Sequence, residues 1–106
     1  MDAKKRKRLE KAGWRVGNAA DFLGLSKEET ALVEMRLALS QSLKERRLAS
    51  GVTQTTLAKQ LGSSQSRVAK LEAADPSVSL ELLIRALLAV GASRKEVATA
   101  LARRVA

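Results

Sequence analysis

The stretch VTQTTLAKQLGSSQSRVAKLE, residues 52–72, constrains the fold of this chain more than any other. Leu57, Ala58 and Leu61 recur at helical spacing up to Gly62, and Val68 and Leu71 do so again after it. A hydroxyl just ahead of an apolar-periodic run accepts the unpaired N–H groups of a helix start, so Thr53 is placed to cap a first short helix and Ser63 or Ser64 a second. Gly62 suits the left-handed residue that stops the first. Two helices joined by so short a link must cross closely, and Ala58 supplies the small side chain for that crossing.

The flanking sequence repeats the same grammar. Ser26 with Glu29 forms a capping box, and Leu32, Met35, Leu39 and Leu43 make one stripe, so a long helix is expected over about residues 27–49, ended by Gly51. After Asp75 and Pro76, Ser77 or Ser79 opens LELLIRALLAVG, from which Leu80, Leu83, Ile84 and Leu87 are expected in the core. Leu82 and Leu88 are then left for a loop or a second subunit. Ser93 with Glu96 is another capping box, and Val97, Leu101 and Val105 give the last helix a narrow stripe. With one Pro and only Trp14 and Phe22 as aromatics, the expected fold is all-α, with five helices. Residues 13–26 read as a docking segment in which Trp14, Val16, Phe22, Leu23 and Leu25 cover a flank of the domain. The expected organisation is a basic tail and leader over residues 1–26 and one helical domain, built on the helix pair, over residues 27–106.

Charge and missing residue types narrow the function. The 106 residues carry 20 Lys or Arg against 11 Asp or Glu, a net charge of +9. Residues 1–17 hold 7 basic and 2 acidic groups, residues 18–50 hold 5 of each, and residues 51–106 hold 8 and 4. Such an excess favours polyanions, because Lys and Arg replace counterions condensed on phosphates. The run KKRKR at residues 4–8 reads either as a solvated terminus, as an arm following DNA, or as a nuclear-localisation signal. Without His or Cys there is no Ser-His-Asp or Cys-His nucleophile, no zinc ribbon and no disulfide. Carboxylates such as Glu72 and Glu81 show no catalytic spacing, so no enzyme activity, cofactor or metal is expected. No apolar run is long enough to span a bilayer, and the chain is expected to be cytoplasmic.

Residues 52–72 therefore read as a helix-turn-helix, whose second helix must protrude far enough to enter a DNA major groove about 12 Å wide. Ser64, Gln65, Ser66, Arg67 and Lys70 concentrate donors and acceptors on its exposed side. Gln suits the N6/N7 edge of adenine, Arg and Lys suit O6/N7 of guanine, and Ser serves either. Gln54 stands at the start of the preceding helix, where free N–H groups favour a phosphate; it is either a backbone clamp or simply a polar second residue. Arg46, Arg47 and Lys59 are further candidates for phosphate contact. Glu72 is expected to close the second helix through local pairing.

The segment LKERRLASGVTQTTLAKQLGSSQSRVAKLE with the Leu-rich helix after it, about residues 39–91, resembles the Cro/cI-like (Xre) helix-turn-helix family of bacterial and phage regulators. Its marks are Arg46 and Gly51, Thr53-Gln54, Leu57-Ala58, Leu61-Gly62, Ser64-Gln65-Ser66, Val68 and Leu71-Glu72. The resemblance implies that Gln54 and Ser64 touch the DNA backbone and that Gln65, Ser66 and Lys70 face the bases. Asp75 departs from it, since many relatives carry Gly after the Glu, and the turn before the fourth helix is expected to differ. The leader GWRVGNAADFLGLSKEE resembles that of HigA-type antitoxins, which pair with RelE/HigB-type toxins that cleave messenger RNA. That resemblance implies a homodimeric repressor on a palindromic operator that also binds a toxin. Asp21, Glu28, Glu29 and Glu34 then either face a basic toxin or merely favour a helix dipole. The alternative is a stand-alone or phage-type regulator with no toxin partner.

Overall fold

The computed structural model describes residues 24–103. Among them are five helices and no strand: α1 Lys27–Ala49, α2 Gln54–Leu61, α3 Gln65–Glu72, α4 Leu80–Ala89 and α5 Arg94–Ala102. The all-α expectation holds. The KKRKR run, Trp14, Phe22 and Val105 lie outside the described residues. The chain divides into two compact units, residues 1–34 with 104–106 and residues 35–103.

In the first unit the described residues are 24–34, where α1 begins. The Glu29 main-chain N–H donates to Ser26 Oγ at 3.1 Å, and the Ser26 N–H donates to Glu29 Oε1 at 3.2 Å, the reciprocal pairing expected of that spacing. Leu32, farther along the same turns, is 47% exposed.

The second unit holds the rest of α1 and the four shorter helices around one apolar core. Leu39 and Leu43 enter it from α1, Leu57 and Ala58 from α2, and Val68 and Leu71 from α3. From α4 come Leu83 and Leu87, while Leu80 and Ile84 pack against the core only partly buried. Val78, Ala86, Ala92 and, from α5, Val97 and Ala100 complete the cluster; removing a Leu side chain from water contributes roughly 2 kcal/mol. Met35 of the expected α1 stripe stays at the surface. At 1.5 Å per residue α1 is roughly 35 Å long, more than twice any other helix, and the core of short helices engages only Ala38, Leu39, Ser40 and Leu43 as fully buried residues. Leu82 is partly buried against the core rather than free, whereas Leu88 is 45% exposed.

Two surface pairs tie α5 to α1. Arg46 Nη2 meets Glu96 Oε2 at 2.6 Å, and Arg103 donates to both oxygens of Glu45 at 2.7 and 2.9 Å. Ser93 and Glu96 form the expected capping box at the start of α5. The Ser93 N–H first, and Arg46 with it, hold the Glu96 carboxyl below its ordinary value, as the Arg103 hydrogen bond does for Glu45.

The α3–α4 link settles the choice between Ser77 and Ser79. Ser79 caps α4, its Oγ accepting the Leu82 N–H at 3.1 Å, while Ser77 donates its N–H and hydroxyl to Asp75 Oδ1 at 2.9 and 2.6 Å. Those two bonds lower the Asp75 pKa from its ordinary value. The backbone reverses one residue earlier, at Ala74, whose φ is +53°. The turn thus places a side-chain residue in the left-handed region, which costs about 1 kcal/mol relative to Gly.

Candidate nucleic-acid interface

Local signals set α2 and α3 at their crossing. Thr53 Oγ1 accepts the Thr56 N–H at 3.1 Å to start α2, and Gly62, with φ +64°, ends it by donating to the carbonyls of Ala58 and Lys59. Ser64, rather than Ser63, caps α3 by accepting the Arg67 N–H at 3.2 Å. The helices pack directly on one another, with Ala58 only 3% exposed. Val68 and Leu71 anchor the inner side of α3 in the core.

What remains outside is the polar set expected from the sequence. Ser64, Gln65, Ser66, Arg67 and Lys70 are all exposed, and Gln54 is half-buried at the start of α2. Ser64 and Ser66 hydroxyls lie 3.2 Å apart. Ser66 and Lys70, one turn apart, occupy the middle of the outward face. Gln65 and Arg67 do not share a place on it: two residues turn a helix by about 200°, so they fall on opposite flanks. Arg67 lines a shallow groove with Leu61, Leu71, Leu82 and Arg85. Gln65 turns to α2 instead, donating from Nε2 to Gln54 Oε1 at 2.7 Å.

Behind that contact is a polar network that begins on α1. Arg47 Nε and Nη2 donate to the two oxygens of Glu72 at 2.5 and 2.9 Å, and Arg47 Nη1 donates to the Val52 carbonyl at 2.9 Å. The side chains are 11% and 4% exposed, so the pair lies almost out of water. Glu72 Oε1 also accepts from Gln54 Nε2 at 3.2 Å. The expectation that Glu72 pairs locally is therefore corrected: its partners lie 25 and 18 positions away. Arg47 is likewise committed inside the fold rather than available for a phosphate, and Arg46 is held by Glu96. Lys59 is exposed.

The sequence carried one signal for this network that the expectations passed over. Glu72 follows Leu71 and stands four residues after Val68, on the inner flank of a helix in a basic chain, where a carboxylate persists only if a cation meets it. Nothing in the spacing indicates which cation. Among the described residues no helix is long and apolar enough to cross a membrane, and no cluster of three acidic residues is arranged to hold a metal.

No curated protein and no solved structure matches the chain. A comparison with protein families matches residues 38–100 to one described as a helix-turn-helix domain, a span that includes α2 to α4, the buried half of α1 and nearly all of α5. With the capped helix pair, its Gly turn and its exposed second helix, that match establishes that the chain belongs to the helix-turn-helix domain family.

Proposed function

We propose that the chain is a sequence-specific transcriptional repressor of the Cro/cI-like (Xre) kind, bound as a homodimer to a palindromic operator. The observation that carries this reading is the exposed face of α3, where Ser66 and Lys70 stand between Gln65 and Arg67 on a helix anchored from behind by Val68 and Leu71. These are hydrogen-bonding side chains of the types that meet base edges in a major groove. Ser64 and Gln54, each at a helix start, suit phosphates, because unpaired N–H groups and the helix dipole favour an anion there. One such module meets few base pairs, so two copies about one helical turn of DNA apart are needed for useful affinity. Leu88, 45% exposed, and the surface of α5 are the faces offered for that contact.

The test is an electrophoretic mobility shift with the DNA upstream of the chain's own gene, titrated with salt. A shift that weakens steeply with salt and is lost in Gln65→Ala/Lys70→Ala supports the reading; a shift indifferent to that double substitution overturns it.

The leader resemblance extends the reading to the antitoxin of a type II pair, with a RelE/HigB-type toxin as partner. A specific observation favours the stand-alone regulator: the Glu29 carboxylate, one of the acids offered to a basic toxin, accepts the Ser26 N–H and belongs to the start of α1. Co-purification with the tagged product of the neighbouring small reading frame separates the two. A stable complex with a product that is toxic alone carries the antitoxin reading.

A further inference from the structure

The groove between α3 and α4 brings together apolar surface and positive charge that the fold itself leaves unused. Leu61, Leu71, Leu82 and Ala89 line it, and it encloses about 400 Å3, within the range of roughly 300–1,000 Å3 that small-molecule sites occupy. Leu61 and Leu82 are only partly buried, so each keeps apolar surface that the core does not cover. Two guanidinium groups, Arg67 from α3 and Arg85 from α4, line the same groove. Arg85 meets Glu81 of its own helix at 3.4 Å with the side chains 74% and 76% exposed, and an ion pair so open to water holds neither charge firmly. The Arg67 guanidinium has no partner among the described residues.

Apolar walls beside two cations of this kind select an occupant that is apolar along its body and anionic at one end. A second copy of the chain does not meet that requirement, because a two-fold contact over the groove brings the arginines of both copies together in a chain of net charge +9. Size counts against a protein partner: nine residues line the groove, whereas a stable protein interface takes roughly 20–30 a side. A small carboxylic acid with a hydrocarbon body fits both features, its planar carboxylate matching the guanidinium fork. Ser63, left over when Ser64 caps α3, adds a hydroxyl to the same groove.

We propose that this groove binds a small apolar monocarboxylate, whose seating on Arg67 and Arg85 weakens DNA binding. Arg67 stands on the flank of the outward face of α3, so a carboxylate held there replaces a cation beside the duplex with a neutral pair. The effect on DNA rests on the DNA-binding reading given above; binding of the acid does not.

The experiment is a 15N NMR titration of the full chain with octanoate, run beside 1-octanol and acetate. Octanoate is expected to give saturable shifts centred on the amides of Arg67, Leu82, Arg85 and Ala89. Octanol lacks the charge and acetate the body, so each is expected to bind about tenfold more weakly or worse. Ala89→Phe fills the groove from an exposed position on α4 and touches no cation, while Arg85→Gln removes one charge-assisted contact; each is expected to weaken octanoate about tenfold. In a mobility shift with DNA selected by the chain from a random library, saturating octanoate is expected to lower wild-type affinity about tenfold. Ala89→Phe binds the same DNA as wild type does without octanoate and does not respond to it. Shifts scattered over the basic surface and equal in Ala89→Phe overturn the proposal, as does octanol binding as tightly as octanoate. Saturation of the groove by an acidic peptide but not by octanoate overturns it in favour of a protein partner. Octanoate that fills the groove without changing DNA affinity overturns the regulatory effect. Octanoate binding in a wild type that retains no duplex overturns the DNA-binding reading and leaves the acid site standing, so the two failures are distinguishable.

Discussion

Arg47 near the end of α1 and Glu72 at the end of α3 face each other through two parallel hydrogen bonds, with both side chains nearly withdrawn from water. This bidentate geometry fixes α3 against the long helix, and removing one partner leaves the other charged, buried and unpaired. Glu72→Ala is expected to destabilise the domain by about 2–3 kcal/mol, visible as a lower urea midpoint at unchanged slope. Arg46→Ala, which breaks the half-exposed pair with Glu96, is expected to move the midpoint much less, because water and salt screen that pair.

Two backbone positions near the ends of α2 and α3 carry opposite expectations under one rule. Gly62 has φ +64° and Ala74 has φ +53°, both in the region that disfavours a Cβ. A Cβ built on Gly62 meets nothing within 4 Å, so the cost of Gly62→Ala is conformational and amounts to about 1 kcal/mol of lost stability. Ala74→Gly relieves the same strain and is expected to raise stability by up to about 1 kcal/mol, offset in part by the greater freedom of Gly in the unfolded chain. Thermal melts of the two variants should shift in opposite directions.

Acid should weaken the fold in a definite window. Glu45, Asp75 and Glu96 all have folded-state pKa values below their ordinary ones, held there by Arg103, by Ser77, and by Ser93 with Arg46. The unfolded chain therefore binds protons at higher pH than the folded chain does. The stability these carboxylates contribute is complete above the ordinary carboxylate range near 4.5 and is lost as pH falls through their lowered values. A series of urea melts from pH 7 to pH 3 should show a falling midpoint below that range. Glu45→Gln/Glu96→Gln should lower the neutral-pH midpoint and flatten the acid limb.

The helix starts were legible in the sequence because capping is local: Ser26 with Glu29, Thr53, and Ser93 with Glu96 each meet partners three residues away. The ambiguous pairs, Ser63 or Ser64 and Ser77 or Ser79, arose because either hydroxyl offers the same oxygen, and backbone direction alone decides between them. The polar face of α3 was legible for the same reason, since Val68 and Leu71 fix which side of a short helix turns inward. The Arg47–Glu72–Gln54–Gln65 network was not. It joins residues from three helices, and no periodicity within any one of them specifies which arginine of the adjacent pair, Arg46 or Arg47, turns toward α3. The left-handed Ala74 was hidden by a similar limit, because the residue that marks the departure from the usual turn, Asp75, serves instead as the acceptor for Ser77.

The separation of Arg67 from Gln65 around α3 divides the proposed DNA contacts into two kinds. Lys70 lies one turn beyond Ser66 on the outward face, whereas Arg67 sits on the flank beside Arg85, at the edge of a groove between α3 and α4. A cation at the margin of a helix in the major groove is set to meet the phosphate wall, and one at its centre to meet base edges. Arg67→Ala is accordingly expected to weaken binding to all DNA sequences alike and to reduce the slope of log affinity against log salt by about 1. Lys70→Ala is expected to relax selectivity at one position of the half-site, by roughly 5- to 100-fold, with the other positions intact. Salt-titrated binding to a selected operator and to an unrelated duplex of equal length separates these outcomes. A loss of base selectivity in Arg67→Ala, or a uniform loss in Lys70→Ala, would show that α3 enters the groove rotated from the orientation its exposed face implies.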